Sequence, residues 1–67
     1  MLHVNKLKGK MTEKGFTVAT ISEKIGMDSS TFYRKLSKNK FSLEEAESIS
    51  RVLELSHEEA IEIFFAA

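Results

Sequence analysis

Near the middle of the chain Ser29, Ser30, Tyr33 and Arg34 bring two hydroxyls, a phenol and a guanidinium close together. Their chemistry is recognition by hydrogen bonding rather than the making of bonds. A guanidinium can grip guanine O6 and N7 with two parallel donors, a contact that discriminates by about 1–3 kcal/mol. Short hydroxyls donate to or accept from base edges and phosphates, and a tyrosine ring can lie along a sugar–phosphate or against a thymine methyl. Thr17, Val18, Thr31, Lys35, Lys38, Asn39 and Lys40 flank this set and are candidates for phosphate contact, which fixes register without reading sequence.

Bond-making chemistry finds no comparable set. His3 and His57 lie far apart, there is no cysteine, and no His-Glu-x-x-His spacing occurs. The serines lack a Gly-x-Ser-x-Gly elbow, and Gly9, Gly15 and Gly26 do not form a phosphate-cradling loop. The carboxylates of the second half read as helix caps and solvated faces. The expectation is a protein that is not an enzyme, with no cofactor and no metal.

The recognition set needs elements that hold it outward. Ile21 and Ile25 stand four apart, as on one stripe of a short helix, and Gly26 stops that helix. Asp28 can cap the next start, after which Phe32 and Leu36 again stand four apart, leaving Ser29, Ser30, Tyr33 and Arg34 on the outer face. Residues 17–37 therefore read as helix, tight turn, helix, the unit whose second helix, here 29–37, fits the DNA major groove.

The remaining segments read as support. Over residues 3–14, Val4, Leu7 and Met11 form an apolar stripe beside a row of Lys6, Lys10 and Lys14. That row suits either a phosphate backbone alongside or plain solvation. Gly15 is a left-handed stop, and Thr17 caps the second helix, with Val18, Ile21 and Ile25 inward. Met27 fills the turn's apolar socket. Ser42-Leu43-Glu44-Glu45 and Ser56-His57-Glu58-Glu59 are capping boxes. Between them Leu43, Ala46, Ile49, Val52 and Leu53 recur at helical spacing. A last helix carrying Ala60, Ile61, Phe64 and Phe65 runs to the end of the chain. The fold class is all-α, about five short helices.

Sixty-seven residues give one small domain, 1–67, with 42% hydrophobic residues and no proline to interrupt helices. No apolar run is long enough to span a bilayer and no signal-peptide pattern opens the chain, so a cytoplasmic location is expected. The net charge of zero is unevenly spread: residues 1–40 hold nine Lys or Arg against three acids, +6, and residues 41–67 hold Arg51 against seven glutamates, −6. A polyanion would feel the positive half, because salt screens the distant half within about 10 Å.

Residues 4–65 resemble the Cro/repressor (Xre-type) helix-turn-helix family, especially the small Cro-like proteins of phages and prophages. The likeness rests on Leu7, Met11, Glu13-Lys14-Gly15, Thr17, Ile21, Ile25-Gly26-Met27, Thr31-Phe32 and Arg34-Lys35-Leu36. It continues through Phe41, Leu43, Ile49, Val52-Leu53, Leu55-Ser56 and Ile63-Phe64-Phe65. It implies a lambda-repressor-like DNA-binding domain acting on a double-stranded, usually palindromic operator as a two-fold dimer in the bacterial cytoplasm. Transcription would be repressed by occlusion. The family commonly carries glutamine where this chain has Val18, and alanine where it has Ser22. The first departure puts a phosphate contact in doubt.

Ile61, Phe64 and Phe65 are candidate dimer contacts. Neighbouring positions on a helix point about 100° apart, so one phenylalanine should fill the core and the other lean outward. An alternative keeps the fold and changes the partner: an antirepressor or co-regulator that binds another regulator through the apolar C-terminus.

Overall fold

The computed structural model describes residues 2–65, and consists there of five helices. They are α1 (Val4–Glu13), α2 (Val18–Ile25), α3 (Ser29–Ser37), α4 (Leu43–Val52) and α5 (His57–Phe64). The last two alanines, where α5 was expected to continue, lie outside the described residues.

Local chemistry starts three of the helices. Thr17, Ser42 and Ser56 each accept from the backbone N–H three residues on, while the side chains of Thr20, Glu45 and Glu59 accept from the cap's own N–H. Each box satisfies two amides that have no partner within the helix. Asp28 does occupy the cap position of α3, but its side chain makes no capping hydrogen bond.

One closure ends four of them. The N–H groups of Phe16, Met27, Lys40 and Leu55 donate to the carbonyls of Met11, Ser22, Lys35 and Ser50 at 2.7–2.9 Å. The residue before each donor is left-handed: Gly15 (φ 80°), Gly26 (φ 71°), Asn39 (φ 55°) and Glu54 (φ 54°). This pattern binds the last carbonyls of a helix while reversing the chain, and it brings the following residue down onto the helix it left. Phe16, Met27 and Leu55 accordingly pack against the core.

The core is drawn from every helix: Leu2, Leu7, Met11, Ile21, Phe32, Leu36, Ala46, Ile49, Leu53, Ile63 and Phe64. α2 packs on α3 and α4, and α5 packs on α1 and α4. Phe41 is half-buried and bridges them, its ring 5.1 Å from Phe32 and 6.4 Å from Phe64.

One position of the expected α4 stripe does not face inward. Leu43 is 61% exposed. At 100° per residue it lies nearly a right angle from the Ala46–Ile49–Leu53 stripe. Ile61, a candidate dimer contact, is 45% exposed: it lies about 110° around α5 from the direction midway between the buried Ile63 and Phe64, at the edge of that face.

Two lysines of the Lys6, Lys10 and Lys14 row have carboxylate partners, while Lys14 is exposed with no ion-pair partner among the described residues. Lys6 pairs with Glu62, and Lys10 with Glu59 at 2.6 Å and Glu13 at 3.6 Å. The two helices run antiparallel, so a row of cations four apart meets carboxylates three apart. Glu59 and Glu62 are thus interhelical partners, not merely solvated. The amide of His3 adds a bond to the Ile63 carbonyl at 2.7 Å, tying the N-terminal strand of chain to α5.

Ser22 is 1% exposed where α2 crosses its neighbours, and its hydroxyl finds no hydrogen-bond partner. Leaving a buried polar group unpaired costs about 1–3 kcal/mol. Ser22→Ala should therefore raise stability by about 1 kcal/mol, read as a melting temperature roughly 4–8 °C higher; a lower one would show that the hydroxyl is satisfied.

Glu59 is held at about 2, below the ordinary 4.5, first by the Lys10 ammonium and then by the Ser56 amide. The same hydrogen bond raises Lys10. A depressed carboxylate contributes stability that is complete above its unfolded value and disappears as pH falls through its folded one. Melting temperature should therefore decline as pH drops from about 4.5 to about 2. Glu59→Gln should start lower at neutral pH and lose less over that window. An acid limb as steep as the wild type's would remove Glu59 from it.

Candidate nucleic-acid interface

α3 is fixed from beneath by Phe32, fully buried, and Leu36, 6% exposed. These two positions share one face, so the turns between them must present Ser30, Tyr33, Arg34 and Ser37 outward, and all four are exposed. Tyr33 is 59% exposed, which is unusual for so large a ring. Ser29 and Thr31 are half-buried at the helix start, Ser29 beside the free first amides of α3.

The flanking residues divide into three kinds. Thr17 spends its hydroxyl on the Thr20 amide at 3.1 Å. Val18 packs partly against the core, so it can offer a phosphate only its backbone N–H in the first turn of α2. Lys35 is half-buried and paired with Glu45. Burial raises the Glu45 carboxyl, but the Lys35 ammonium and the Ser42 amide outweigh it, and the group sits below its ordinary range. Any phosphate taking Lys35 must compete with Glu45.

The third kind are free. Among the described residues Lys8, Lys14, Lys24, Arg34, Lys38, Lys40 and Arg51 have no ion-pair partner. Arg34, Lys38 and Lys40 gather with Lys35 around a cleft of about 370 Å³, closed by Phe41 and Ser42. The left-handed turn at Asn39 sets this rim by folding Lys40 back onto α3.

Tertiary structure has thus sorted the +6 half of the chain. Lys6 and Lys10 are engaged by α5, Lys8 and Lys14 stay exposed and without an ion-pair partner among the described residues, and Arg34, Lys38 and Lys40 gather with Lys35 beside α3.

Two features of this surface escaped sequence reasoning. The turn at Asn39 had a weak signal, since asparagine tolerates left-handed geometry better than most residues. The Lys35–Glu45 pair had none, because ten residues and a loop separate its members. No group of three or more histidine, cysteine or carboxylate side chains that could hold a metal occurs among the described residues, and no helix there is long and apolar enough to cross a membrane.

An exposed helix with two hydroxyls, a phenol and a guanidinium, seated behind a glycine turn and bordered by free cations, defines a helix-turn-helix DNA-binding domain. The chain belongs to the Cro/C1-type HTH DNA-binding domain family, whose model matches residues 6–65. No curated protein and no solved structure matches it.

Lys38→Ala should weaken binding to all duplex sequences alike and lower the slope of log affinity against log salt by about one, as each phosphate contact releases a counterion. Loss confined to one preferred sequence, with an intact slope, would contradict a phosphate role for Lys38.

Proposed function

We propose that the protein is a sequence-specific transcription regulator, a phage or prophage Cro-like repressor of the bacterial cytoplasm. It would insert α3 into the major groove of a double-stranded operator and occlude a promoter. Ser29, Ser30, Tyr33 and Arg34 read base edges. Thr17, the Val18 amide, Thr31, Lys38, Asn39 and Lys40 hold phosphates, joined by Lys35 when it exchanges Glu45 for DNA. Two copies on a palindromic site present two α3 helices about one helical turn apart, roughly 34 Å.

The observation that carries this reading is the coincidence of the two sets. Three cations with no ion-pair partner among the described residues, Arg34, Lys38 and Lys40, line one cleft beside the helix whose exposed face bears Ser30, Tyr33 and Arg34. Family membership supplies the DNA-binding class. The exposed Ile61 and Phe65 support a second reading, in which the domain acts by contact with another regulator.

Selection from random duplex DNA with the purified chain tests both. A single enriched motif, with a salt-dependent gel shift by the protein alone, supports direct reading. A shift seen only when a second protein is added supports the co-regulator. On the enriched site Arg34→Ala should cost about 1–3 kcal/mol and relax the preference at one position of each half-site. Unchanged affinity and preference would take Arg34 out of the base-reading set.

A further inference from the structure

Glu45 is where the acidic half of the chain meets the basic cleft beside α3. Different donors take its two carboxylate oxygens. Oε1 accepts from the Ser42 N–H at 2.8 Å, closing the cap of α4, and Oε2 accepts from the Lys35 ammonium. Lys35 and Ser42 both line the cleft, whereas Glu45 lines a neighbouring hollow with Ile25, Met27 and Ser48. The carboxylate therefore holds the ammonium to the side of the cleft.

The cap of α4 does not need this charge. At α2 the same reciprocal bond comes from the neutral hydroxyl of Thr20, and glutamine serves equally well in such boxes. What the charge adds is the hold on Lys35. The pair is also shielded: its side chains are 27% and 22% exposed, against 49% and 57% for Lys6 and Glu62. Salt screens a partly buried pair less than an exposed one.

We propose that Glu45 sets the DNA affinity of this domain by standing in for a phosphate, holding Lys35 until a backbone phosphate in the cleft displaces it. The inference rests on the phosphate-contact reading above and gives that site an affinity-determining residue. A carboxylate and a phosphodiester offer an ammonium the same partner, one negative charge shared by two oxygens. Lysine suits the exchange, because its charge rides on a flexible four-carbon stem that swings between acceptors.

The exchange has its own ionic signature. An unpaired lysine that neutralises a phosphate releases about one counterion from DNA. Lys35 does the same, but Glu45 is left bare and gathers a cation in turn. Net release is close to zero, so Lys35 adds little to the salt dependence. Glu45 thereby weakens the sequence-independent part of binding, to which phosphate contacts contribute.

The test is anisotropy titration of the full chain with one random-sequence duplex, from about 50 to about 200 mM salt. The variants are Glu45→Gln, Glu45→Gln with Lys35→Ala, and Glu44→Gln, each checked by circular dichroism melting. Glutamine keeps an acceptor for the Ser42 amide. Glu45→Gln should bind about five- to tenfold more tightly near 0.1 M salt, with a slope steeper by about one. Adding Lys35→Ala should abolish the gain and restore the wild-type slope. Glu44 is exposed, next in the chain, and without an ion-pair partner among the described residues. Its neutralisation should change affinity less than about twofold, because salt screens it.

If wild type binds duplex and Glu45→Gln matches it in affinity and slope, the proposal fails and the DNA reading stands. A gain that survives Lys35→Ala, or that Glu44→Gln reproduces, is a plain field effect and also overturns it. If no variant binds duplex at about 50 mM salt, the DNA reading fails and takes the proposal with it. The carbon-13 shift of the Glu45 carboxyl, followed as duplex is added to wild type, decides even if Glu45→Gln loses the fold. It should move toward that of free glutamate; a shift that stays put shows that Lys35 never leaves, and overturns the exchange.

Discussion

The seating of α3 depends above all on Phe32. Its ring is fully buried, touches Phe41 at 5.1 Å, and through Phe41 reaches Phe64 on α5. Truncating a buried phenylalanine typically costs about 3–5 kcal/mol. A chain of this length has only roughly 3–10 kcal/mol of net stability in total. Orientation and stability therefore rest on one side chain. With Phe32 inward, helical geometry leaves Tyr33 and Arg34 no direction but outward, and Leu36 one turn later prevents the helix from rolling. The exposed chemistry of α3 follows from what its opposite face buries.

Electrostatics then decides which cations remain available. The two charged halves of the chain do not simply balance at a distance. Three glutamates of the acidic half reach back to Lys6, Lys10 and Lys35, and each pair joins two helices, or joins α3 to the start of α4. The exposed Lys6–Glu62 pair contributes little stability, since water and salt screen it, and the partly buried Lys10–Glu59 and Lys35–Glu45 pairs are screened less. Their larger effect is on the field. Pairing Lys6 and Lys10 with α5 lowers the positive charge of α1, though Lys8 and Lys14 stay unpaired among the described residues, while Arg34, Lys38 and Lys40 remain together beside α3.

Repeated turn geometry holds this arrangement in a short chain. Four successive helices end in the same left-handed closure, and three of those closures drop an apolar residue onto the core. Glycine takes the left-handed position twice without steric cost. Asn39 and Glu54 take it with side chains that disfavour it, by about 1–2 kcal/mol in the general case. Both turns are retained because the 6→1 hydrogen bond and the contacts beyond it over-determine them. At Asn39 the result is the basic rim itself.

Local patterns carried most of the helix assignment. Apolar residues three and four apart, the Ser42 and Ser56 capping boxes, Thr17, Gly15 and Gly26 set the starts of all five helices within a residue or two, because capping and periodicity act over one or two turns of chain, whereas α5 stops at Phe64 short of the expected end. The same periodicity placed Phe32 and Leu36 under α3, and so identified which of its residues would be exposed. The sequence by itself therefore determined the helices, their order and the outward chemistry of α3. It did not determine where Leu43 and Ile61 point, which lysines are free, or that Leu43, Ile61 and Phe65 border a common groove. Those depend on the angle at which each helix meets its neighbours and on contacts as distant as Lys6 with Glu62. Only tertiary packing decides between two apolar stripes that a single helix presents equally well, because burial is a property of the pair of surfaces and not of either one.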